Sequence, residues 1–494
     1  MEDNIEIPQI ISPEDVTSWE KEVDVIVAGQ GIAGTCAALE AHKAGAEVLI
    51  VERASGGGGA SAMSSGIFYL GGGTEVQKVA GYEDTAEEMA AFMMSCCDPL
   101  DSNAALAFCR DSKDHFDWLE DQGVPFERTY HGEKAVWLAD TTCLMWTGNE
   151  KAWPFREAAK PAPRGHKVAG MGENAGAEGM KPLLARCIEQ DIPAIYDSAV
   201  VGLVQDSDKR VVGIKVKQPG KTFFVKARRG VIIACGSHNM SQPLIKKYLP
   251  LLGETSEPLG IPSNDGMGVR LGISAGANPV NMDGVIPTAS IYPPGKLIKG
   301  IVVNANGERF VAEDVYHGRL ANFIMEQPGQ KAYLIVDEEI FAYPEITHAR
   351  HTLIDGFETV DAMEAALELP QGSLVRTLNE YNEGAEKGED KRFHKHVDWL
   401  KPLGNGSWAA FDISFNKSTY VFITLGGIRA DERGRALDLY SQPIPGLYVV
   451  GASAAHIPKS GKAYGSGMSL GPGSYFGRRA GRDAAGVAWE EQKA

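Results

Sequence analysis

The sequence predicts an α/β protein: a parallel sheet built on a βαβ unit and split in two by an inserted α+β lobe. Three observations carry that reading. The stretch from Asp24 to Glu52, DVIVAGQGIAGTCAALEAHKAGAEVLIVE, runs apolar strand, glycine turn, apolar helix, apolar strand. Two more buried-strand patterns, VIIACG from Val231 to Gly236 and PIPGLYVVGAS from Pro443 to Ser453, both run into glycine. Between them, residues 278–418 change to short strands, charged helices and loops, as a separate lobe would. At 494 residues the chain is long enough for two or three domains and a large core. The expected division is 1–277 and 419–494 for the two parts of the sheet domain and 278–418 for the lobe.

The βαβ unit comes first. Val25, Ile26 and Val27 form a continuous apolar run, as in a parallel strand buried on both faces. Gly29, Gly31 and Gly34 then give G-x-G-x-x-G at the turn into the helix. Gly29 permits the tight turn, Gly31 lets the backbone approach a pyrophosphate, and Gly34 lets helix and strand pack closely. The free N–H groups and dipole of the helix face the phosphates. The second strand, Val48 to Val51, ends on Glu52, a carboxylate placed to accept hydrogen bonds from ribose hydroxyls. The glycine pattern alone is weak; strand, helix, second strand and terminal acid together point to a dinucleotide.

Residues 1–20 form a polar lead-in. After Glu52 comes SGGGGASAMSSGIFYLGGG, Ser55 to Gly73, too rich in Gly, Ala and Ser to build a core and suited to wrapping backbone around a ligand. Residues 84–122 are helical by pattern, and residues 127–180 are irregular, with His166 expected in a loop. Ala194 to Val225 alternates as a small β-meander. Asn264-Asp265-Gly266 precedes a further helix. Thr424 to Gly427, TLGG, restores the glycine-rich style, and GKAYGSGMSLGPGSYFGRRAGRDAAG turns through glycines into a terminal helix.

Composition excludes several functions. A formal net charge of −17 argues against nucleic-acid or anionic-membrane partners, which need basic patches. The seven cysteines form no C-x-x-C, so a zinc site, a redox dithiol and an attached c-type haem are unsupported, and no metal is expected. They read as buried thiols of a reducing compartment, and a cytoplasmic location is expected. The start, MEDNIEIPQIISPED, lacks the apolar core of a signal peptide, and no apolar run is long enough to span a membrane. Gly467-Met468-Ser469-Leu470-Gly471 fits the G-x-S-x-G nucleophile elbow, but SGKAYGS before it is no apolar strand, which argues against a serine hydrolase.

GQGIAG with Glu52, GGGGAS, IIACG, NDG, GERFVAED, TLGG, IPGLYVVGA and the final glycine-rich helix start together resemble the fumarate reductase/succinate dehydrogenase flavoprotein superfamily, nearly end to end. The resemblance implies a Rossmann-like FAD-binding fold with an inserted α+β substrate (capping and catalytic) domain. FAD would lie extended, its flavin edge between the two lobes. It implies cofactor contacts from Gly29, Gly31, Ile32, Ala33, Gly34, Glu52, Arg53, Gly58, Gly59, Ala60, Ser61, Ser65, Gly66, Val201, Ala234, Cys235, Gly236, Asn264, Asp265, Gly451, Ala452, Ser469 and Leu470. Ala452 stands where the family carries Glu. Covalent attachment in the family uses a His in the Ser/Gly-rich loop; residues 55–73 hold none, so non-covalent FAD is expected.

Within that superfamily the dicarboxylate reductases clamp two carboxylates with Arg and His, because a buried anion needs paired donors. Here the corresponding positions are Ile286-Pro287-Thr288, Phe422 or Ile423, Tyr464, and His317 beside Tyr316. Tyr464-Gly465-Ser466-Gly467 with Tyr316 resembles the 3-ketosteroid dehydrogenase branch, and most nearly the 3-ketosteroid Δ4-(5α)-dehydrogenases, which pair two tyrosines with a serine. The Δ1-dehydrogenases carry a Tyr-Pro-Gly-Pro-Gly type of run, and Gly465-Ser466 replaces its Pro-Gly. Desaturation beside a ketone needs an enolate-oxygen donor, a base for the α proton and a flavin acceptor for the β hydrogen. The resemblance assigns these to Tyr464 as donor and Ser466 as base, with Tyr316 relaying the proton to solvent. Tyr292, Tyr420 and Phe422 are candidates for the steroid face, and His317 is the less favoured candidate for chemistry. A steroid burying about 300 Å² gains roughly 7 kcal/mol before association costs, so no charged clamp is required. The expected reaction is conversion of a 3-oxo-5α-steroid to a 3-oxo-Δ4-steroid, with an external electron acceptor. The rivals are a Δ1-dehydrogenase, an enone reductase acting on a steroid or bile acid, and a non-catalytic flavin-binding protein.

Overall fold

Val25, Val27 and Ala28 are fully buried because the strand that carries them, Trp19–Ala28, lies in the middle of the main sheet. The computed structural model describes residues 5–253, 255–288, 291–345 and 349–489. From edge to edge the main sheet runs Arg435–Leu437, Pro443–Val449, Lys221–Ile233, Trp19–Ala28, Val48–Val51 and Ala194–Ile195. All neighbours pair parallel except the edge strand Arg435–Leu437. Chain-distant segments therefore meet at the centre, and their strand ends bring Gly29, Gly236 and Gly451 to one side.

Helix Ile32–Lys43 crosses between the first two strands, and Gly34 allows it. A Cβ there would collide with the carbonyl oxygen of Gly29. The terminal helix Leu470–Ala484 lies against the same helix through glycines. A Cβ on Gly477 or Gly481 would strike the carbonyls of Ala33 and Ala37.

Two expectations change. Lys221–Ile233 is a single strand: its first half pairs antiparallel with Val211–Gln218 in the meander, and its second half runs on as the buried VII segment. The stretch 127–180 is not irregular throughout. It supplies Tyr130–His131, Leu144–Met145 and Gly165–Lys167 to a four-stranded sheet with Ile67–Tyr69. His166 thus sits on a strand, fully buried, with Nε2 at 2.8 Å from Thr74 Oγ1. The loop assignment failed because that strand is only three residues long and carries no alternation to read.

The inserted stretch builds a four-stranded antiparallel sheet from Ile301–Asn304, Ala332–Asp337, Trp408–Asp412 and Thr352–Phe357. A smaller sheet, Ser256–Pro258, Tyr420–Thr424 and Val285–Thr288, stitches segments from either side of it. The GERFVAED segment is pinned by a buried ionic cluster. Arg309 reaches Glu313 and Asp390, both at 2.9 Å, and Lys395 reaches Glu313 at 3.1 Å. The Arg309 guanidinium also stacks over Tyr381 and Phe393. Burial alone would raise Glu313 and Asp390; the facing cations outweigh it and hold both carboxyls below their usual range. The segment leads directly into Tyr316, the residue before helix His317–Met325.

Arg309→Ala should destabilise the protein by about 3–5 kcal/mol, because it strips the buried Asp390 carboxylate of its cation and leaves Glu313 with Lys395 alone. Urea unfolding followed by circular dichroism measures this. The two carboxyls have depressed folded values. Their contribution is full above the ordinary carboxylate range and is lost as pH falls through the folded values. The gap between wild type and Arg309→Ala should therefore narrow in acid.

Candidate active site

The glycine-bearing strand ends open into one continuous cleft of about 1300 Å³. Pockets for a single drug-sized ligand hold about 300–1,000 Å³, so this one has room for a dinucleotide and a second molecule. Ala28 to Ala33, Glu52, Arg53, Gly59 to Ser61 and Val201 lie along one end, and Tyr316, His317, Tyr464 and Ser466 along the other.

At the first end the Glu52 side chain is buried and uses both oxygens locally. Gln30 N–H donates to Oε2 at 2.7 Å and Ala54 N–H to Oε1 at 2.8 Å. These bonds fix the glycine turn to the end of the second strand. Ile32 N–H donates to Ser61 Oγ at 3.1 Å, which draws the glycine-rich loop over the helix N-terminus. Arg53 and Asp265 form an ion pair of 2.6 Å on the rim.

At the other end Tyr316 comes from the inserted stretch and Tyr464 and Ser466 from the C-terminal part, yet they converge. The two tyrosine rings are 6.2 Å apart, and the Tyr316 hydroxyl is 3.3 Å from Ser466 Oγ. The Tyr464 hydroxyl is 2.8 Å from Ser469 Oγ, which is 3.2 Å from His456 Nε2. His456 Nδ1 faces the Leu425 carbonyl at 3.3 Å. A carbonyl only accepts, so Nδ1 carries the hydrogen and Nε2 is the acceptor. Ser469 then donates to His456 and accepts from Tyr464.

Loss of solvation keeps this end uncharged. Burial pushes the Tyr464 phenol up to about 12 and Tyr316 well above its ordinary value. It pulls His456 down to about 4 and, with the nearby Lys134 charge, His317 down to about 3. His317 Nδ1 is buried without a partner among the described residues, and its ring lies 4.0 Å from that of Tyr316. Ile286, Thr288, Val421 and Ile423 complete the wall. Among the described lining residues the cationic side chains are Arg53 and Lys217, both at the opposite end.

Of the residues expected to contact cofactor or substrate, Gly34, Gly58 and Gly66 are not on the cleft wall. Gly34 serves helix packing, and Gly58 N–H is bonded to the Gln30 carbonyl. The others, Gly29, Gly31, Ile32, Ala33, Glu52, Arg53, Gly59, Ala60, Ser61, Ser65, Val201, Ala234, Cys235, Gly236, Asn264, Asp265, Gly451, Ala452, Ser469 and Leu470, all line it, as do Tyr316, Tyr464 and Ser466. The steroid-face candidates Tyr292, Tyr420 and Phe422 do not. All three are core residues, and Tyr420 spends its hydroxyl on the Ile413 carbonyl. Strand alternation explains the miss on Tyr420–Thr424: with Phe422 turned to the core, Val421 and Ile423 face the cleft. His456 was also missed; nothing in its sequence surroundings sets it apart.

The profile of the family described as FAD binding domain matches residues 24–468. A 3-oxo-5-alpha-steroid 4-dehydrogenase of Comamonas testosteroni is 29% identical over 501 aligned positions, covering 88% of this chain and 94% of the relative. The crystal structure of a 3-ketosteroid-Δ4-(5α)-dehydrogenase from Rhodococcus jostii RHA1, in complex with 4-androstene-3,17-dione, superposes with a TM-score of 0.90 at 39% identity, covering 97% of this chain and 99% of that one. A 3-ketosteroid Δ1-dehydrogenase from Sterolibacterium denitrificans shares the fold, with a TM-score of 0.67 at 21% identity and coverage of 94% and 100%. The residues present fit FAD. Gly31, at the N-cap of the helix, carries no side chain to cap it, and buried Gln30 Oε1 lacks a partner among the described residues.

Glu52→Ala should raise the FAD dissociation constant about tenfold or more, because the N–H groups of Gln30 and Ala54 lose their acceptor. Titration of apoprotein with FAD, read by flavin fluorescence, measures it; an unchanged constant removes Glu52 from the cofactor site.

Proposed function

This chain belongs to the FAD binding domain family, and we propose that it is an FAD-dependent steroid dehydrogenase that converts a 3-oxo-5α-steroid to a 3-oxo-Δ4-steroid. The observation that carries the proposal is the substrate end of the cleft. Two buried tyrosines and a serine meet there, and no cation lines the wall among the described residues. A dicarboxylate would enter that space without paired donors, at a cost of several kcal/mol per ion. A neutral steroid loses little on entry and gains from the Ile286, Val421 and Ile423 side chains.

The residues divide the work. Tyr464 stays protonated at neutral pH and donates to the ketone oxygen as negative charge develops there. The arriving oxygen competes with Ser469 Oγ for that hydrogen. Ser469 keeps its own bond to His456, so the rearrangement is confined to one hydroxyl. Ser466 Oγ takes the α proton while its own hydrogen passes to the Tyr316 oxygen, and Tyr316 releases a proton toward solvent. When bound, FAD supplies the two-electron acceptor for the β hydrogen. An external carrier then removes the electrons.

The Rhodococcus jostii relative, at 39% identity against 21% for the Δ1 enzyme, supports the Δ4 position, as does Gly465-Ser466 in the run after Tyr464. Anaerobic mixing of the yellow holoenzyme with a 3-oxo-5α-steroid, a 3-oxo-Δ4-steroid and succinate in turn tests the reading. The first should bleach the flavin and the other two should not. Bleaching by the second would move the reaction to Δ1, and bleaching by succinate would overturn the steroid reading. Ser466→Ala should retain its flavin and lose about 10²–10⁴-fold in reduction rate. Acid precipitation should release the flavin into the supernatant, because residues 55–73 contain no His for attachment.

A further inference from the structure

Tyr316 and Tyr464 belong to different parts of the chain, and a single side chain holds both. Asn149 is buried, 1% exposed, between them. Its Nδ2–H donates to the Tyr464 carbonyl at 3.1 Å, and its Oδ1 accepts the Tyr316 N–H at 3.0 Å. The amide can point only one way, because a carbonyl accepts and an N–H donates; turned over, both contacts become repulsive. The segment around it is stiff. Glu150 accepts from Thr147 N–H, Thr147 Oγ1–H and Gly148 N–H at 3.2, 2.6 and 2.8 Å. It is also wedged in place. A Cβ on Gly148 would sit 3.1 Å from the Tyr316 Cα, and one on Gly465 would sit 2.8 Å from Thr147 Oγ1.

We infer that Asn149 is the positioning residue that sets the separation of Tyr316 from the Tyr464–Ser466 run. This rests on the reading of those three side chains as the groups that handle the ketone and its α proton. Asn149 has no reaction role of its own. It joins two backbones, and the Tyr316–Ser466 hydroxyl contact of 3.3 Å follows from where those backbones sit. That contact already lies beyond the usual O–H···O range, so a small further drift breaks the relay. Misplacement by about 1 Å costs roughly 10²-fold in rate.

The test compares wild type, Asn149→Ala and Asn149→Asp as holoenzymes, each with and without Tyr316→Phe. Two quantities are read: the anaerobic rate of flavin reduction by a 3-oxo-5α-steroid, and the dissociation constant of a 3-oxo-Δ4-steroid from its perturbation of the flavin spectrum. Asn149→Ala should slow reduction about 100-fold while the dissociation constant changes less than about threefold. In the Tyr316→Phe background the same change should cost less than about threefold, because the geometry that Asn149 maintains is no longer used. Asn149→Asp keeps the volume and the acceptor but loses the donor to Tyr464, so it should retain flavin and be slowed like Asn149→Ala. Equal slowing in both backgrounds, or wild-type rates in Asn149→Asp, would overturn the inference. If wild type itself is not reduced by the steroid, the functional reading falls and the inference with it.

Discussion

An oxygen held in a dry cavity needs a donor, and the donor must not bring a charge that burial penalises. A guanidinium meets the first condition at the cost of the second, unless the ligand supplies a matching anion. A phenol meets both. Buried between its neighbours, Tyr464 is pushed up to about 12, so it keeps its hydrogen where water is excluded. His317 and His456 are held neutral by the same loss of solvation. The tyrosine, serine and histidine side chains that line this end of the cleft are therefore polar without being charged. A cavity of that kind penalises a dianion and admits a neutral ligand.

A neutral network carries a difficulty that a charged one lacks: nothing but geometry decides which way its hydrogens point. Here the Leu425 carbonyl decides. It fixes the hydrogen on His456 Nδ1, which makes Ser469 a donor to Nε2 and leaves Ser469 lone pairs for Tyr464. The phenol hydrogen thus has a resting partner that a ketone oxygen can replace. The exchange strands no donor; it leaves one serine lone pair unused, which costs far less than an orphaned N–H or O–H.

The sequence made the cofactor half legible because its constraints are local. Gly29, Gly31 and Gly34 with Glu52 lie within one βαβ unit, and the steric reason for Gly34 is visible in the collision a Cβ would cause. The convergence of Tyr316, Tyr464 and Ser466 at the other end of the cleft was legible only through resemblance. What stayed hidden depends on register or on distant backbone. Phe422 was a candidate for the wall and Val421 was not, yet strand alternation turns Val421 and Ile423 to the cleft. His166 read as a loop residue because its strand pairs with Ile67–Tyr69, which is far away in the chain. Asn149 gives no signal at all in TGNEKAW, since its partners are a backbone N–H and a carbonyl in two other segments.

Placing Tyr316 is therefore a problem of assembly, and the molecule solves it from three sides. Behind it in the chain, Arg309, Glu313, Asp390 and Lys395 lock the segment that leads into the tyrosine. Beside it, the buried ammonium of Lys134 donates to the carbonyls of Asp314 and Val315. In front, Asn149 takes the Tyr316 N–H. Each anchor comes from a different stretch of chain, so none can shift without opposing the other two. The ionic cluster and Lys134 act on residues before Tyr316 and fix where the segment runs. Asn149 alone among these anchors also grips the Tyr464 carbonyl. A lobe held by the first two could be correctly folded and still present its tyrosine at the wrong distance from Ser466. The third contact converts a well-placed lobe into a set hydroxyl-to-hydroxyl distance across the cleft.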